Sequence, residues 1–136
     1  MTALSTSAGT VAYDSHGSGD SVVLLPNAGH DHHDYDEVRE LLPGQFCTIS
    51  IDWPGQGQSS VGTAAPTELR LAQIVEELLD SLAPAGAVLV GNSVGGNVAA
   101  RLAIRRPGLV KGLMIIDGGR TNRSQNDTPG AKEQQQ

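Results

Sequence analysis

The sequence predicts an α/β domain: a mainly parallel, doubly wound sheet with helices on both faces. Short apolar runs such as Val22-Val23-Leu24-Leu25 and Ala87-Val88-Leu89-Val90 are continuous rather than alternating, as in strands buried on both faces. These runs alternate with segments whose apolar residues recur at helical spacing. Strands alternating with helices imply right-handed crossovers, which cover both faces of a parallel sheet. The 136 residues are 38% hydrophobic and 18% charged, which suits an ordinary globular domain.

The elements follow in order. Residues 1–9 are small and polar without a sustained period and read as a flexible leader. Thr10 to Tyr13 is a short strand, closed by the turn formers of residues 14–20. Val22 to Leu25 is the next strand. Asp34 to Leu42 reads as a helix capped by Asp34 with Glu37 returning the bond, burying Val38, Leu41 and Leu42 and stopped by Pro43-Gly44. Phe46 to Ile51 is a strand, followed by a glycine-rich loop to about Gly62. Thr67 to Leu82 is the clearest helix, with Thr67 as cap and Leu71, Ile74, Val75, Leu78 and Leu82 on one face. Ala87 to Val90 is a strand, and Gly91 to Arg106 turns into a helix whose Arg105 and Arg106 suit its negative end. Leu113 to Ile116 is the last strand, and 118–136 read as a polar, disordered tail.

Composition also excludes function classes. An acidic chain, net charge −6, without a basic cluster is a poor nucleic-acid binder. The apolar runs are too short to span a bilayer, and no basic segment precedes them, since Arg39 is the first Lys or Arg. The single cysteine, Cys47, excludes an internal disulfide and fits a reducing, cytoplasmic compartment.

In such sheets ligands collect at the carboxyl ends of the strands, where three loops carry unusual residues. Gly91-Asn92-Ser93-Val94-Gly95 matches G-x-S-x-G between an apolar strand and a helix, the context a nucleophile elbow requires. There Ser93 projects from a strained turn, the glycines permit close approach, and the N–H of Val94 lies at the helix start, suited to an oxyanion. The alternative is an ordinary glycine-rich turn. No phosphate-binding pattern is present, and no cofactor is expected. Pro26 to Asp34 offers small residues and the half-signature His30-x-His32-x-Asp34, which suits zinc or iron only with further ligands. No histidine follows His33, so the loop reads as solvated and polar, with substrate contact as the alternative and no metal. In Asp52-Trp53-Pro54-Gly55, the carboxylate of Asp52 reads as bonding turn N–H groups, and Trp53 as shaping a pocket floor or covering core.

These residues carry a family resemblance. The chain resembles the N-terminal part of an α/β-hydrolase from about Thr10 to Asp117, through Tyr13…His16-Gly17-x-Gly19, Asp52-x-Pro54-Gly55-x-Gly57-x-Ser59 and Gly91-x-Ser93-x-Gly95-Gly96. The resemblance implies strands three to six of the family's sheet and Ser93 as nucleophile. It implies an oxyanion hole from the N–H groups of Val94 and Ala28, although Pro26-Asn27 replaces the family's common His-Gly. Asn27, His30, Asn92 and Trp53 are the candidate substrate contacts. Asp117 stands where some members carry the catalytic acid. The family's histidine has no counterpart, so a partial domain over 10–117, truncated after about the sixth strand, is expected. Hydrolysis of an ester or similar acyl bond of a small molecule is the implied activity, weak or lost in this chain alone. The alternative is a non-catalytic fragment that binds a partner or self-associates through an exposed sheet edge.

Overall fold

The computed structural model describes residues 2–7, 9–27, 30–42, 44–53 and 67–116. They form strands β1 (Thr2–Thr6), β2 (Gly9–His16), β3 (Asp20–Leu25), β4 (Phe46–Ile51), β5 (Ala87–Asn92) and β6 (Val110–Ile116), with helices α1 (Asp36–Leu41), α2 (Glu68–Leu82) and α3 (Val94–Arg105). One six-stranded sheet runs in the order β1-β2-β4-β3-β5-β6. β1–β2 and β2–β4 pair antiparallel, and β4–β3, β3–β5 and β5–β6 pair parallel. The expected α/β class and mainly parallel sheet are therefore observed.

The alternation of side chains along each strand separates two cores. Val23, Leu25, Ile49, Ile51 and Leu89 face α2 and α3, whose Leu71, Ile74, Val75, Leu78, Val98 and Leu102 complete the larger core. Val22, Leu24 and Val90 face the other way and pack with Tyr35. α2 forms as its periodicity predicts: Thr67 Oγ1 accepts the N–H of Arg70 at 3.1 Å, and the apolar stripe is buried. Arg106, beyond α3, reaches Glu76 Oε2 (2.6 Å) and Asp80 Oδ1 (3.1 Å), tying the two helix ends together.

Three expectations change. Residues 2–6, read as part of a leader, form β1, because pairing with β2 satisfies a backbone that has no apolar period of its own. The segment after β3 does not begin as an α-helix at Asp34. A 3₁₀ turn (His32–Tyr35) comes first, and its cap is Asp31, which accepts the N–H of His33 at 2.9 Å. α1 is then short and buries none of its apolar residues; Leu41 is 85% exposed. Tyr35 covers this side of the sheet in their place. Pro43, the glycine-rich loop from Pro54 to Gly62 and the tail 118–136 lie outside the described residues.

Two glycines let α3 start where it does. Register pairs Leu25 of β3 with Gly91 of β5. A Cβ on Gly91 would overlap the backbone of Gly95, and a Cβ on Gly95 would overlap the carbonyl oxygen of Leu25. In both cases the obstacle is backbone, which has nowhere to move. Among the described helices none is long and apolar enough to cross a membrane.

This packing predicts a sharp contrast. Gly95→Ala is expected to cost about 3 kcal/mol or more, the upper range for overpacking. Gly108→Ala, where an added Cβ meets nothing within 4 Å, should stay within about 0.5 kcal/mol of wild type. Urea unfolding midpoints at constant m measure both.

Candidate functional site

β3, β4, β5 and β6 run parallel, so their carboxyl ends lie on one side of the sheet. Pro26, Asp52 and Ser93 leave the sheet there, the placement expected of a site in this architecture.

Ser93 sits between β5 and α3 with φ 56° and ψ −110°. Among the described residues it is the one non-glycine with positive φ. Such a backbone costs on the order of 1–3 kcal/mol and persists only where the surroundings impose it. Here they do. The Ser93 N–H donates to Ile116 O at the end of β6 (3.0 Å), and Ser93 O accepts the N–H of Asn97 in the first turn of α3 (3.1 Å). The glycine contacts fix the rest. Val94 is the first residue of α3, so its N–H has no intrahelical acceptor and lies at the positive end of the dipole. This geometry places half-buried Ser93 directly before the first turn of α3, an arrangement suited to attack on an acyl carbon and stabilisation of an oxyanion.

The segment leaving β3 approaches this turn. Leu25 O, against which Gly95 packs, accepts the hydroxyl of buried Tyr35 at 2.8 Å. Burial pushes the Tyr35 hydroxyl up to about 12, as does the charge of Asp34, against a lowering hydrogen bond from the Asn92 backbone. It is therefore a neutral donor at physiological pH. Asn27 is half-buried and its carbonyl accepts the N–H of His30 at 3.1 Å. Asn92 is half-buried at the end of β5, immediately before Ser93. Ala28 and Asp117 lie outside the described residues.

The histidines pair with aspartates instead of forming the half-signature. His30 Nδ1 lies 2.9 Å from Asp34, His33 Nδ1 lies 2.8 Å from Asp36, and His16 Nε2 lies 3.2 Å from Asp14. The hydrogen bond and charge of Asp36 hold the His33 imidazolium above its ordinary range. His32 Nδ1 donates to buried Asp52 Oδ1 at 2.8 Å. Of the half-signature, His30 and Asp34 thus pair with each other, while His32 turns to Asp52. Asp31, His32 and His33 each bring one ligand atom within 4.8 Å of the others, but Asp31 is also the cap of the 3₁₀ turn.

Asp52 bonds N–H groups as expected, but those of His32 across the site, including its backbone N–H at 2.7 Å. Trp53 is 2% exposed and belongs to the larger core, and its Nε1 donates to Pro26 O at 2.7 Å. The indole covers core. Sequence reasoning missed Tyr35 and Ser50. For Ser50 a signal existed: Thr48 and Ser50 put two hydroxyls on one face of an otherwise apolar strand.

Tyr35→Phe should lower stability at pH 7 by about 1–2 kcal/mol, since Leu25 O loses a buried donor. The wild-type tyrosine keeps its proton up to about pH 12 when folded but loses it near 10 when unfolded. Its stabilisation is therefore complete below pH 10 and is lost as pH rises towards 12. The gap between wild type and Tyr35→Phe should close over that window, as measured by urea midpoints at stepped pH.

Known proteins match this chain in sequence and fold. The α/β hydrolase fold family model matches residues 20–135. A pimeloyl-[acyl-carrier protein] methyl ester esterase of Klebsiella pneumoniae is 32% identical over 117 residues, covering 85% of this chain and 44% of the esterase. A crystal structure of a hydrolase from Pseudomonas aeruginosa superposes with TM-score 0.80 at 31% identity, covering 86% of this chain and 45% of the hydrolase. A thermophilic esterase from Thermogutta terrifontis gives TM-score 0.80 at 28% identity, covering 97% of this chain and 49% of the esterase. The chain spans less than half the length of each of these proteins. With the family model matched over most of its length and the strand–Ser93–helix turn in place, this chain belongs to the α/β-hydrolase fold family.

Proposed function

We propose that Ser93 is the nucleophile of an acyl hydrolase acting on an ester or similar acyl bond of a small molecule. The observation that carries this reading is the Ser93 backbone, held at φ 56° beside the N-terminus of α3. The esterases and hydrolases among its relatives support the bond class.

In the proposed step, Ser93 Oγ bonds to the acyl carbon and its proton passes to a base. The carbonyl oxygen becomes an oxyanion held by the Val94 N–H and by a second donor after β3, for which Ala28 is the candidate. Collapse expels the alcohol as a protonated leaving group and leaves an acyl-serine, which water then hydrolyses. Asn27, His30 and Asn92 are proposed to contact substrate, and Asp117 to serve as the acid. The four histidines all lie at or before His33, and none follows β6, where the family's base is found. Turnover by the 136-residue chain is therefore proposed to be weak or absent, while the strained serine keeps some reactivity. Cys47, the single cysteine, supports a reducing, cytoplasmic setting for this activity.

A second reading rests on β6. Its Leu113, Met114, Ile115 and Ile116 are 38–57% exposed, and β6 is an edge of the described sheet. Apolar residues on both faces of an open edge favour pairing with another chain. Light scattering should then show mass rising with concentration; a monomer at every concentration tested contradicts that reading.

For the nucleophile, a fluorophosphonate probe should label the wild-type chain and not Ser93→Ala. p-Nitrophenyl ester turnover should fall at least about 10³-fold below that of a complete triad. Equal labelling of wild type and Ser93→Ala would remove the claim.

A further inference from the structure

We infer that Asp31, His32 and His33 form a binding site for a divalent transition-metal ion, with zinc the best match to the donor set. The site lies at the 3₁₀ turn between β3 and α1 and does not rest on the nucleophile reading of Ser93.

The cap of the turn brings the three residues together. Asp31 is extended (φ −130°, ψ −169°), and its carboxylate folds back to accept the N–H of His33 at 2.9 Å. One ligand atom from each of the three residues then lies within 4.8 Å of the other two. The two imidazoles have ring centroids 4.0 Å apart and planes tilted by 38°. Tetrahedral donors at bonds of about 2.0–2.2 Å stand about 3.4 Å apart around zinc. A closure of about 1.4 Å at most, shared by the exposed His33 ring and the half-buried Asp31 carboxylate, reaches that spacing. The cap bond uses Oδ1 of Asp31, and a carboxylate has a second oxygen for a cation. Water completes the coordination.

Two carboxylates outside the trio prepare the imidazoles. His32 Nδ1 donates to fully buried Asp52 at 2.8 Å, and His33 Nδ1 pairs with Asp36 at 2.8 Å. A histidine whose Nδ1–H is held by a carboxylate presents Nε2 as the basic, ligating nitrogen, and such partners are the usual outer support of a metal-bound histidine. The backbone of His32 is fixed as well. Asp52 Oδ1 accepts its N–H at 2.7 Å, and Ser50 donates its hydroxyl to His32 O at 2.7 Å. His32 is 6% exposed and rigidly held, while exposed His33 leaves a path for the ion. His33 and Asp36 also line a cavity of about 410 Å³ with Asp14, His16, Arg39 and Glu40. Arg39 is paired with Asp14 at 3.0 Å, so Asp36 and Glu40 leave an excess of negative charge that draws cations in. Two imidazoles and one carboxylate suit zinc and its neighbours, whereas calcium and magnesium demand mostly oxygen. The sequence argued against a metal because no histidine follows His33; here three consecutive residues supply the ligands.

The test titrates the full, untagged chain, stripped with a chelator, with zinc chloride and with cobalt chloride. It reads calorimetric heat and the visible absorption of bound cobalt. Wild type should take up one equivalent of either ion. His33→Ala and Asp31→Asn should each weaken zinc binding at least about tenfold and abolish the cobalt bands, although asparagine keeps the cap. Asp36→Asn, which alters only the outer support, should weaken binding about tenfold. His30→Ala and His16→Ala should bind as wild type does. Magnesium chloride should not displace cobalt. Zinc should raise the urea midpoint of wild type and leave that of His33→Ala unmoved. Asp31 and His33 lie outside both cores, so these substitutions spare the packing, and circular dichroism checks that each variant is folded. A folded His33→Ala or Asp31→Asn that binds zinc like wild type overturns the site, as does a wild type without saturable uptake. A loss in His30→Ala equal to that in His33→Ala moves the ion to the His30-x-His32-x-Asp34 set and overturns the trio.

Discussion

The whole site depends on how closely α3 approaches the end of β3. Register sets Leu25 beside Gly91, and Gly95 then packs onto the Leu25 carbonyl. Backbone meets backbone at both contacts, so neither can yield to a side chain. The chain can turn from β5 into α3 in this space only if the residue between the glycines takes an unfavourable conformation. That residue is Ser93. Its strain is the result of a packing constraint.

The other parts of the site collect around Leu25. Its carbonyl receives the Tyr35 hydroxyl, and Tyr35 in turn fills the smaller core with Val22, Leu24 and Val90. The next carbonyl, that of Pro26, receives the Trp53 indole, which is anchored in the larger core. Each core thus sends one buried aromatic donor to the root of the same loop. The end of β6 completes the frame by accepting the Ser93 N–H. Strands β3, β4, β5 and β6 all contribute, although they are far apart in sequence. The elbow is thereby a property of the sheet and not of the five-residue motif alone.

Much of this was legible in the sequence because local patterns and global packing agree. Thr67 and its apolar stripe define α2 without ambiguity. Gly91 and Gly95 could be assigned their steric task from spacing alone, and the structure shows the backbone atoms they avoid. Other features were hidden because partners chosen across the fold decide them. Residues 2–6 carry no strand period, and only β2 makes them a strand. The cap after β3 is Asp31 and not Asp34, since aspartates at several nearby positions compete and the winner depends on how His32 is held by Asp52. Trp53 had two readings from sequence, and burial against the Pro26 carbonyl separates them. Asp52 had the right kind of partner, a backbone N–H, in the wrong loop.

The central claim, that glycine-permitted packing imposes strain on Ser93, can be measured without any substrate. Ser93→Gly and Ser93→Ala both remove the hydroxyl, but only glycine relieves a positive φ. The account predicts that Ser93→Gly is more stable than Ser93→Ala by about 1–2 kcal/mol in urea unfolding, within the range of such strain. If Ser93→Gly is instead equal to Ser93→Ala or less stable, the turn is not strained and the account fails.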